Sequence, residues 1–544
     1  MTDAVDAGPV RAGAWPRATA RSPGVARRAT ALAVLAFTVV AVAGVLLRPA
    51  LPVDETRYLA VAWEMWTSGD WLVPTKNFAL YTHKPPLLFW AMNLVWSVTG
   101  VSETAARLVG PGLAVLALLL TSRLARVLWP ADPAIGARAT LALSGMFAFA
   151  LTGGLTMFDA ALAAATVGGM LALVRALGSG RRRDWALVGV ALALGGLTKG
   201  PVIVLHLGPA LVLAPLWARG QAAVPLRDGA RGAAVALGVG LALVALWVVP
   251  AALSGGPEYR EAILWTQSAG RVAGSFAHAK PWWFFAALMP VLLFPWIAVP
   301  ALWRAAAGQD WRDPGLRLCL VWAGSALVLF SLISGKQAHY LVPELPAAAL
   351  IVARLAPPRF SVAGPAIILG LAALACAGIA AGLIPVGRAE ALVQPRTMLL
   401  ATGFLLAAAS LGALRVRGLG GGVVLTLGTL LSLNLLVSLT ASGSLYDSRP
   451  IAAAIAPSEA EGIAFYGQSY HAEFNFAARL RAPVATPPTP RDLAAWQAAH
   501  PRGVIVARRD KAHPPWPARR TIAFRNSPYA IWQVADAPQL EPSP

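Results

Sequence analysis

Asp54 and Glu55 are adjacent carboxylates that open the stretch DETRYLAVAWEMWTSGDWLVPTKNFALYTHKPP, which closes on His83-Lys84-Pro85-Pro86. A carboxylate at the start of a helix can serve as a cap, stabilised by the helix dipole. It can also act as a base or orient a hydroxyl. Lys84 precedes two prolines, and the residue before a proline is held extended. Its ammonium would suit a phosphate, although a lysine at a helix edge can also simply snorkel.

Further along, Asp159 sits in TGGLTMFDAALAAA, at the start of an apolar run. A carboxylate near bilayer depth costs about 2.5–3.5 kcal/mol on insertion scales, so such residues face a cavity or a partner. Lys199 lies in LGGLTKGPV, where glycine allows backbone and ligand to approach closely. Lys336 in SGKQAHY and the loop RVAGSFAHAK, from Arg271 to Lys280, add positive charge. His278 and His83 could share a metal, but two histidines do not make a defined site. Together these residues would neutralise a phosphate leaving group and activate or orient a nucleophile. That is the chemistry of taking a sugar from a phosphate-linked lipid. The sequence has no P-loop or Rossmann glycine motif.

The elements that must position these groups are membrane spans. Of the 544 residues 57% are hydrophobic and only 13% charged, against about 25% charged in soluble domains. The formal net charge of +20 would suggest nucleic acid in a soluble chain. Here the arginines lie in short loops between apolar runs, so membrane orientation accounts for them and nucleic acid is excluded as a partner. Cys319 and Cys376 both sit inside apolar runs and read as small core residues.

Thirteen spans are expected, at 29–47, 104–128, 134–152, 156–177, 184–198, 201–217, 231–253, 282–303, 316–334, 338–356, 361–385, 396–415 and 421–440. The basic stretch before residue 29 would be a cytoplasmic tail. The pair 184–198 and 201–217 is separated only by Lys199-Gly200, so one kinked helix is the alternative. Splitting them puts each later arginine cluster on the cytoplasmic side, as the positive-inside bias requires. The candidate chemistry then falls on the opposite face. All six lysines, Lys76, Lys84, Lys199, Lys280, Lys336 and Lys511, fall there as well, in a chain that otherwise uses arginine. This suggests positions needing a compact point charge.

Within the first outer loop, 48–103, helical spacing of Leu59, Val61, Ala62, Met65 and Trp66 predicts an amphipathic helix from Asp54 that lies along the membrane interface. A second interfacial helix is expected over 87–98, with Trp90 and Trp96 at headgroup depth. The fold class expected is thus an all-α polytopic membrane protein: a tail over 1–28, a transmembrane domain over 29–440 and a small α/β domain over 441–544. In that last domain 462–467, 502–509 and 529–534 read as strands, and 473–480 and 492–500 as helices.

The runs DETRYLAVAWEM, GDWLVP, YTHKPPLLFW and SETAARL resemble the opening of the aminoarabinose transferase and protein mannosyltransferase family. These are GT-C glycosyltransferases that use polyprenyl-phosphate sugars. TMFDAALA, GLTKGP, HAKPWWFF, FPW at 294–296 and SGKQAHYLVPELPA resemble later family motifs in the same order, so that the resemblance covers about residues 30–350. It implies that Asp54 matches the essential first-loop aspartate, accompanied by Glu55, and that Asp159 matches the second acid. Lys84 would match the lysine of a Glu-Lys-Pro-Pro motif that contacts the carrier phosphate. Arg57, Tyr81, Lys199, Arg271 and Tyr340 fall where the family places phosphate or carrier contacts. His83 departs from the motif's glutamate. In the family that glutamate and a histidine matching His278 can hold a structural metal, so here a divalent metal at His83 and His278 is left open and no other cofactor is implied.

The function expected is inverting transfer of a sugar from a polyprenyl (undecaprenyl) phosphate carrier to a lipid A or other envelope glycan acceptor, at the outer face of the cytoplasmic membrane. The N-terminus would be cytoplasmic and the C-terminal domain periplasmic. Transfer to a protein Ser or Thr is the alternative within this chemistry. A lipid or sugar transporter is the alternative from another class, but it would spread its charges over both halves and often carry an internal repeat.

Overall fold

The computed structural model describes residues 23–218, 225–265, 279–387, 394–512, 514, 516–525 and 527–537. The first apolar run forms α1 (Pro23–Leu47). The outer loop that follows holds α2 (Asp54–Ser68), a hairpin of β1 (Thr75–Lys76) and β2 (Ala79–Leu80), and α3 (Leu87–Thr99). Then come α4 (Glu103–Arg107), α5 (Val109–Leu128), α6 (Ile135–Ser144), α7 (Phe147–Gly153), α8 (Phe158–Ser179), α9 (Arg182–Lys199) and α10 (Ile203–Val212). Further long apolar helices run over Leu226–Ser254, Pro314–Leu332, Ala363–Ala380, Arg396–Val416 and Gly418–Leu439.

Among the described residues nine helices are long and apolar enough to cross a membrane, or ten if the bent pair α6–α7 counts as one span. The chain is a polytopic, multi-pass membrane protein. Small residues let the helices approach closely, as packing without a hydrophobic drive requires. A methyl group on Gly189 of α9 would sit 2.5 Å from the carbonyl oxygen of Ala236, on the helix Leu226–Ser254.

The stretch 182–212 passes the length and apolarity test as one helix, yet it is not straight. Lys199 and Gly200 leave the helical region, Gly200 with φ +73°. A methyl group on Gly195 would lie 2.3 Å from Ile203. In a straight helix those positions would be about 12 Å apart, at 1.5 Å per residue. The chain therefore turns back on itself at Lys199-Gly200. Two other expected spans are broken. Over 282–303, Pro295 and Pro300 separate Phe284–Leu292, Trp296–Ala298 and Pro300–Ala307. Over 338–356 a 3₁₀ stretch, Ala338–Glu344, precedes Leu345–Leu355. Proline removes a donor and clashes with the preceding turn, so each run is cut short.

The C-terminal region carries β3 (Ile463–Tyr466), β4 (Val504–Arg508), β5 (Arg520–Phe524) and β6 (Ser527–Gln533). Their order is β3-β4-β6-β5, with β3 and β4 parallel and the other neighbours antiparallel. β5 was missed from sequence, being largely exposed and arginine-led. The expected helix 473–480 shrinks to Asn475–Ala478, and the other is Pro490–Ala499, closed by a Thr489–Asp492 capping box.

The outer-loop helix is more covered than its amphipathic pattern implied. Ten of the fifteen residues of α2 are buried against the rest of the protein. Leu59, Val61, Ala62 and Met65 pack with Leu88, Phe89 and Trp96, while Ala60 packs with Ile451, Ile463, Phe465 and Phe474 of the C-terminal region. Trp63 donates its indole N–H to the Leu480 carbonyl at 2.7 Å. Trp96, expected at headgroup depth, is instead fully buried and stacked on Phe476 at 5.5 Å. The sheet domain supplies the second apolar surface that the amphipathic pattern alone did not anticipate.

Candidate functional site

Local geometry brings the candidate acids and cations to one end of the bundle. α8 and α9 are consecutive and separated only by Gly180-Arg181, so the start of one lies beside the end of the other. Asp159, in the first turn of α8, thereby meets Lys199, the last residue of α9, with Nζ to Oδ1 at 2.7 Å. Each charge complements the dipole of its own helix. Asp159 is buried and Lys199 largely so, the side chains being 2% and 11% exposed. A pair this dry is strongly destabilised if one partner is removed. Lys199 also lies 4.8 Å from the centre of the Tyr340 ring.

Asp54, the first residue of α2, accepts from Arg57 one turn on and from the Tyr58 hydroxyl at 3.1 Å. It remains 43% exposed. Tyr58 is edge-on to Phe158 at 4.9 Å, which ties this end of α2 to the start of α8. The Lys84 ammonium lies 6.0 Å from the same Phe158 ring. His339 joins the groups electrostatically: it feels Asp159, Lys199, Asp54 and Lys84, while Asp159 feels Lys199, His339 and Lys84. Tyr81 stacks on His83 at 5.5 Å and feels Arg57. Asp54, Arg57, Tyr58, Tyr81, Lys84, Asp159, Lys199, His339 and Tyr340 thus form one cluster.

Two of the expected residues stand apart from this cluster, and two more lie outside the described residues. Glu55 was grouped with Asp54 as catalytic, but it is buried and saturated. It accepts two donors from Arg48, the backbone N–H of Leu51 at 2.9 Å and that of Thr156 at 2.9 Å, and lies 3.8 Å from Arg107. Burial would raise its pKa, but the charges of Arg48 and Arg107 outweigh that and lower it from 4.5 to about 2. Its geometry is that of a clamp joining α1, α2, α4 and the loop before α8. Lys336 is buried and donates to the Lys280 carbonyl at 3.0 Å, pinning 279–280 against Gly335. Arg271 and His278 lie outside the described residues. The metal option rests on His278. Among the described residues no group of three or more His, Cys, Asp and Glu could hold a metal, so those residues alone do not fit one.

Several participants were not singled out from sequence. His339 carried a signal, since it adjoins Tyr340 in KQAHY. Arg48 and Arg107 resembled ordinary basic residues at span ends, and nothing local marks them as partners of Glu55.

The motif resemblance has counterparts in known proteins. A family model described as dolichyl-phosphate-mannose-protein mannosyltransferase matches residues 83–249. The chain is 31% identical over 344 residues to the undecaprenyl phosphate-alpha-4-amino-4-deoxy-L-arabinose arabinosyl transferase of Pseudomonas paraeruginosa, covering 60% of each chain. It is 28% identical over 306 residues to that of Pectobacterium carotovorum subsp. carotovorum, covering 55% of this chain and 54% of the relative. The matched region thus spans between half and two thirds of the length of these relatives. Among solved structures, ArnT from Cupriavidus metallidurans bound to undecaprenyl phosphate aligns with a TM-score of 0.73 at 20% identity, covering 95% of this chain and 100% of that one. Its apo form aligns with a TM-score of 0.74, again at 20% identity. The chain thus shares the fold of ArnT over nearly its whole length, and over more than half of it is similar in sequence to the arabinosyl transferases.

Proposed function

We propose that this protein is an inverting glycosyltransferase. It moves a sugar from a polyprenyl phosphate carrier, of the undecaprenyl kind, to lipid A or another envelope glycan at the outer face of the cytoplasmic membrane. The observation that carries this is the cluster that brings Asp54–Arg57 and Asp159–Lys199 together with Lys84 and Phe158. Lys84, Lys199 and Arg57 would hold the carrier phosphate, and Tyr81 and Tyr340 would flank it. Asp54, the exposed acid, would orient the acceptor oxygen and take its proton where it has one. That oxygen attacks the anomeric carbon as the bond from that carbon to the phosphate oxygen breaks. The electron pair leaves with the phosphate, whose growing charge the cations neutralise. Asp159 holds Lys199 in place for that task.

The orientation follows from the arginine clusters: tail 1–28 inside, transmembrane domain 29–440, and domain 441–544 in the periplasm. Thirteen spans are reached if α6–α7 is one, α9 and α10 are two, and the broken runs over 282–303 and 338–356 each cross. The family model's description favours a second acceptor, a protein hydroxyl. Arg271, Lys336, and His83 with His278 remain candidate carrier or metal contacts on sequence grounds.

The test is transfer from an undecaprenyl-phosphate sugar by the full chain in detergent, together with mass spectrometry of envelope lipids and glycoproteins from a deletion strain. Missing lipid modifications are expected. Asp54→Asn and Lys84→Ala proteins that keep full transfer would overturn the proposal, and a missing glycoprotein mass with unchanged lipids would move the acceptor to protein.

A further inference from the structure

Glu64 is a buried carboxylate that the proposed chemistry does not use. Among the described residues it makes no ion pair. Four neutral donors hold it instead: Asn77 N–H at 2.7 Å, Phe78 N–H at 2.8 Å, Thr75 hydroxyl at 2.8 Å and Asn475 side-chain N–H at 3.3 Å. Burial raises its pKa and these donors lower it, with burial the stronger.

Three of those donors belong to the β1–β2 hairpin, whose turn residues Asn77 and Phe78 both have positive φ, 54° and 61°. Asparagine tolerates that region, whereas phenylalanine does so rarely. Fixing both turn N–H groups with one carboxylate offsets that strain. The hairpin ends at Leu80, and Tyr81 N–H closes back onto the Pro74 carbonyl at 2.9 Å. Tyr81, His83 and Lys84 follow directly. The position of this turn therefore sets where Lys84 enters the site.

The same turn is gripped by the sheet domain. Asn77 donates to the Val484 carbonyl and accepts from the Val484 N–H, both at 2.8 Å. Asn475 reaches both Glu64 and Asn77 at 3.3 Å and is itself held by the Tyr470 hydroxyl at 2.5 Å. Nearby, the Arg479 guanidinium covers the Phe476 ring at 3.8 Å and the Trp63 ring at 5.3 Å.

We infer that Glu64, Asn77 and Asn475 are positioning residues through which the C-terminal domain sets Lys84 for the carrier phosphate. This rests on the reading of Lys84 as a phosphate contact. The domain is then part of the donor site's rigidity. An alteration more than 390 residues from Lys84 in sequence reaches that site through two or three hydrogen bonds.

The test uses the full chain in nanodiscs. Asn77→Gly keeps the turn, since glycine takes positive φ freely, but cuts the bonds to Val484. Asn475→Ala cuts the link to Glu64. Trp516→Leu, in the apolar cluster with Trp532 and Ile505, is the control for general weakening of the domain. Hydrogen exchange at Tyr81–Lys84 should speed up about tenfold in both node variants, the equivalent of one or two hydrogen bonds. The KM for undecaprenyl-phosphate sugar should rise by about tenfold with kcat changed less. The control should leave both unmoved at a matched loss of thermal midpoint. Unchanged exchange at Tyr81–Lys84, or a control that moves it equally, overturns the inference. If the wild type transfers no sugar, the functional proposal fails, and the exchange comparison still decides whether the node sets the loop.

Discussion

Asp54 and Glu55 are neighbours in sequence and opposites in structure. One is 43% exposed and faces Arg57 and Tyr58 in the cluster; the other is buried among Arg48, Arg107 and two backbone N–H groups. Consecutive positions on a helix point about 100° apart, so one turn can hand one acid to chemistry and the next to the scaffold. The clamp around Glu55 joins the helix ends that carry Asp54 and Asp159. A carboxylate fully satisfied by fixed donors has no capacity left for a substrate, whereas an exposed one with a single guanidinium partner does.

Five substitutions break or sharpen that contrast. Asp54→Asn should cut transfer by about 10²–10⁴-fold, the usual range for losing a positioned base. The thermal midpoint should hardly move, because a partly exposed ion pair contributes about 0–1 kcal/mol. Activity and melting measured on one preparation check both. Equal losses in the two would erase the distinction from Glu55.

Glu55→Gln should do the reverse, lowering stability by about 3 kcal/mol while a folded fraction still binds carrier. The sign of the pH effect follows from the depressed value of about 2. Between that value and the ordinary 4.5 the unfolded chain binds the extra proton. The stabilisation is therefore complete above about pH 4.5 and is lost as pH falls towards 2. Melting against pH for wild type and Glu55→Gln should converge at the acid end, and parallel curves would show that Glu55 is not the titrating group.

A double-mutant cycle on Asp159→Asn and Lys199→Met should give a coupling of about 1–3 kcal/mol in stability, as expected for a contacting pair. Additive losses would mean that the two act separately. The smallest effect is expected from Arg57→Lys. It keeps the charge beside Asp54 but loses the planar fork, so a several-fold rise in donor KM with unchanged melting should appear in steady-state kinetics.

The cluster's legibility was uneven. Asp54, Lys84, Asp159 and Lys199 announced themselves as charges at the edges of apolar runs, where an unpaired charge is costly and a function is a fair expectation. Arg57, Tyr81 and Tyr340 came only from the resemblance of motifs. The surroundings of Glu55 were not legible, because adjacency in sequence says nothing of which face a side chain takes once helices pack. Glu64 looked like a polar residue off the apolar stripe, and its partner Asn475 lies 411 residues away.

By itself the sequence determined what depends on short range. Apolar runs fix where helices form, Gly200 marks where the chain folds back, and prolines mark where the runs over 282–303 and 338–356 break. Tertiary structure alone decided which acid is clamp and which is open, and it brought His339 beside Asp159. It also buried α2 between the bundle and the sheet domain. Those outcomes depend on partners such as Thr156, 101 residues from Glu55, and Leu480, 417 residues from Trp63. Periodicity reports the environment of one face of one element, and contacts at such separations exist only after the elements have packed.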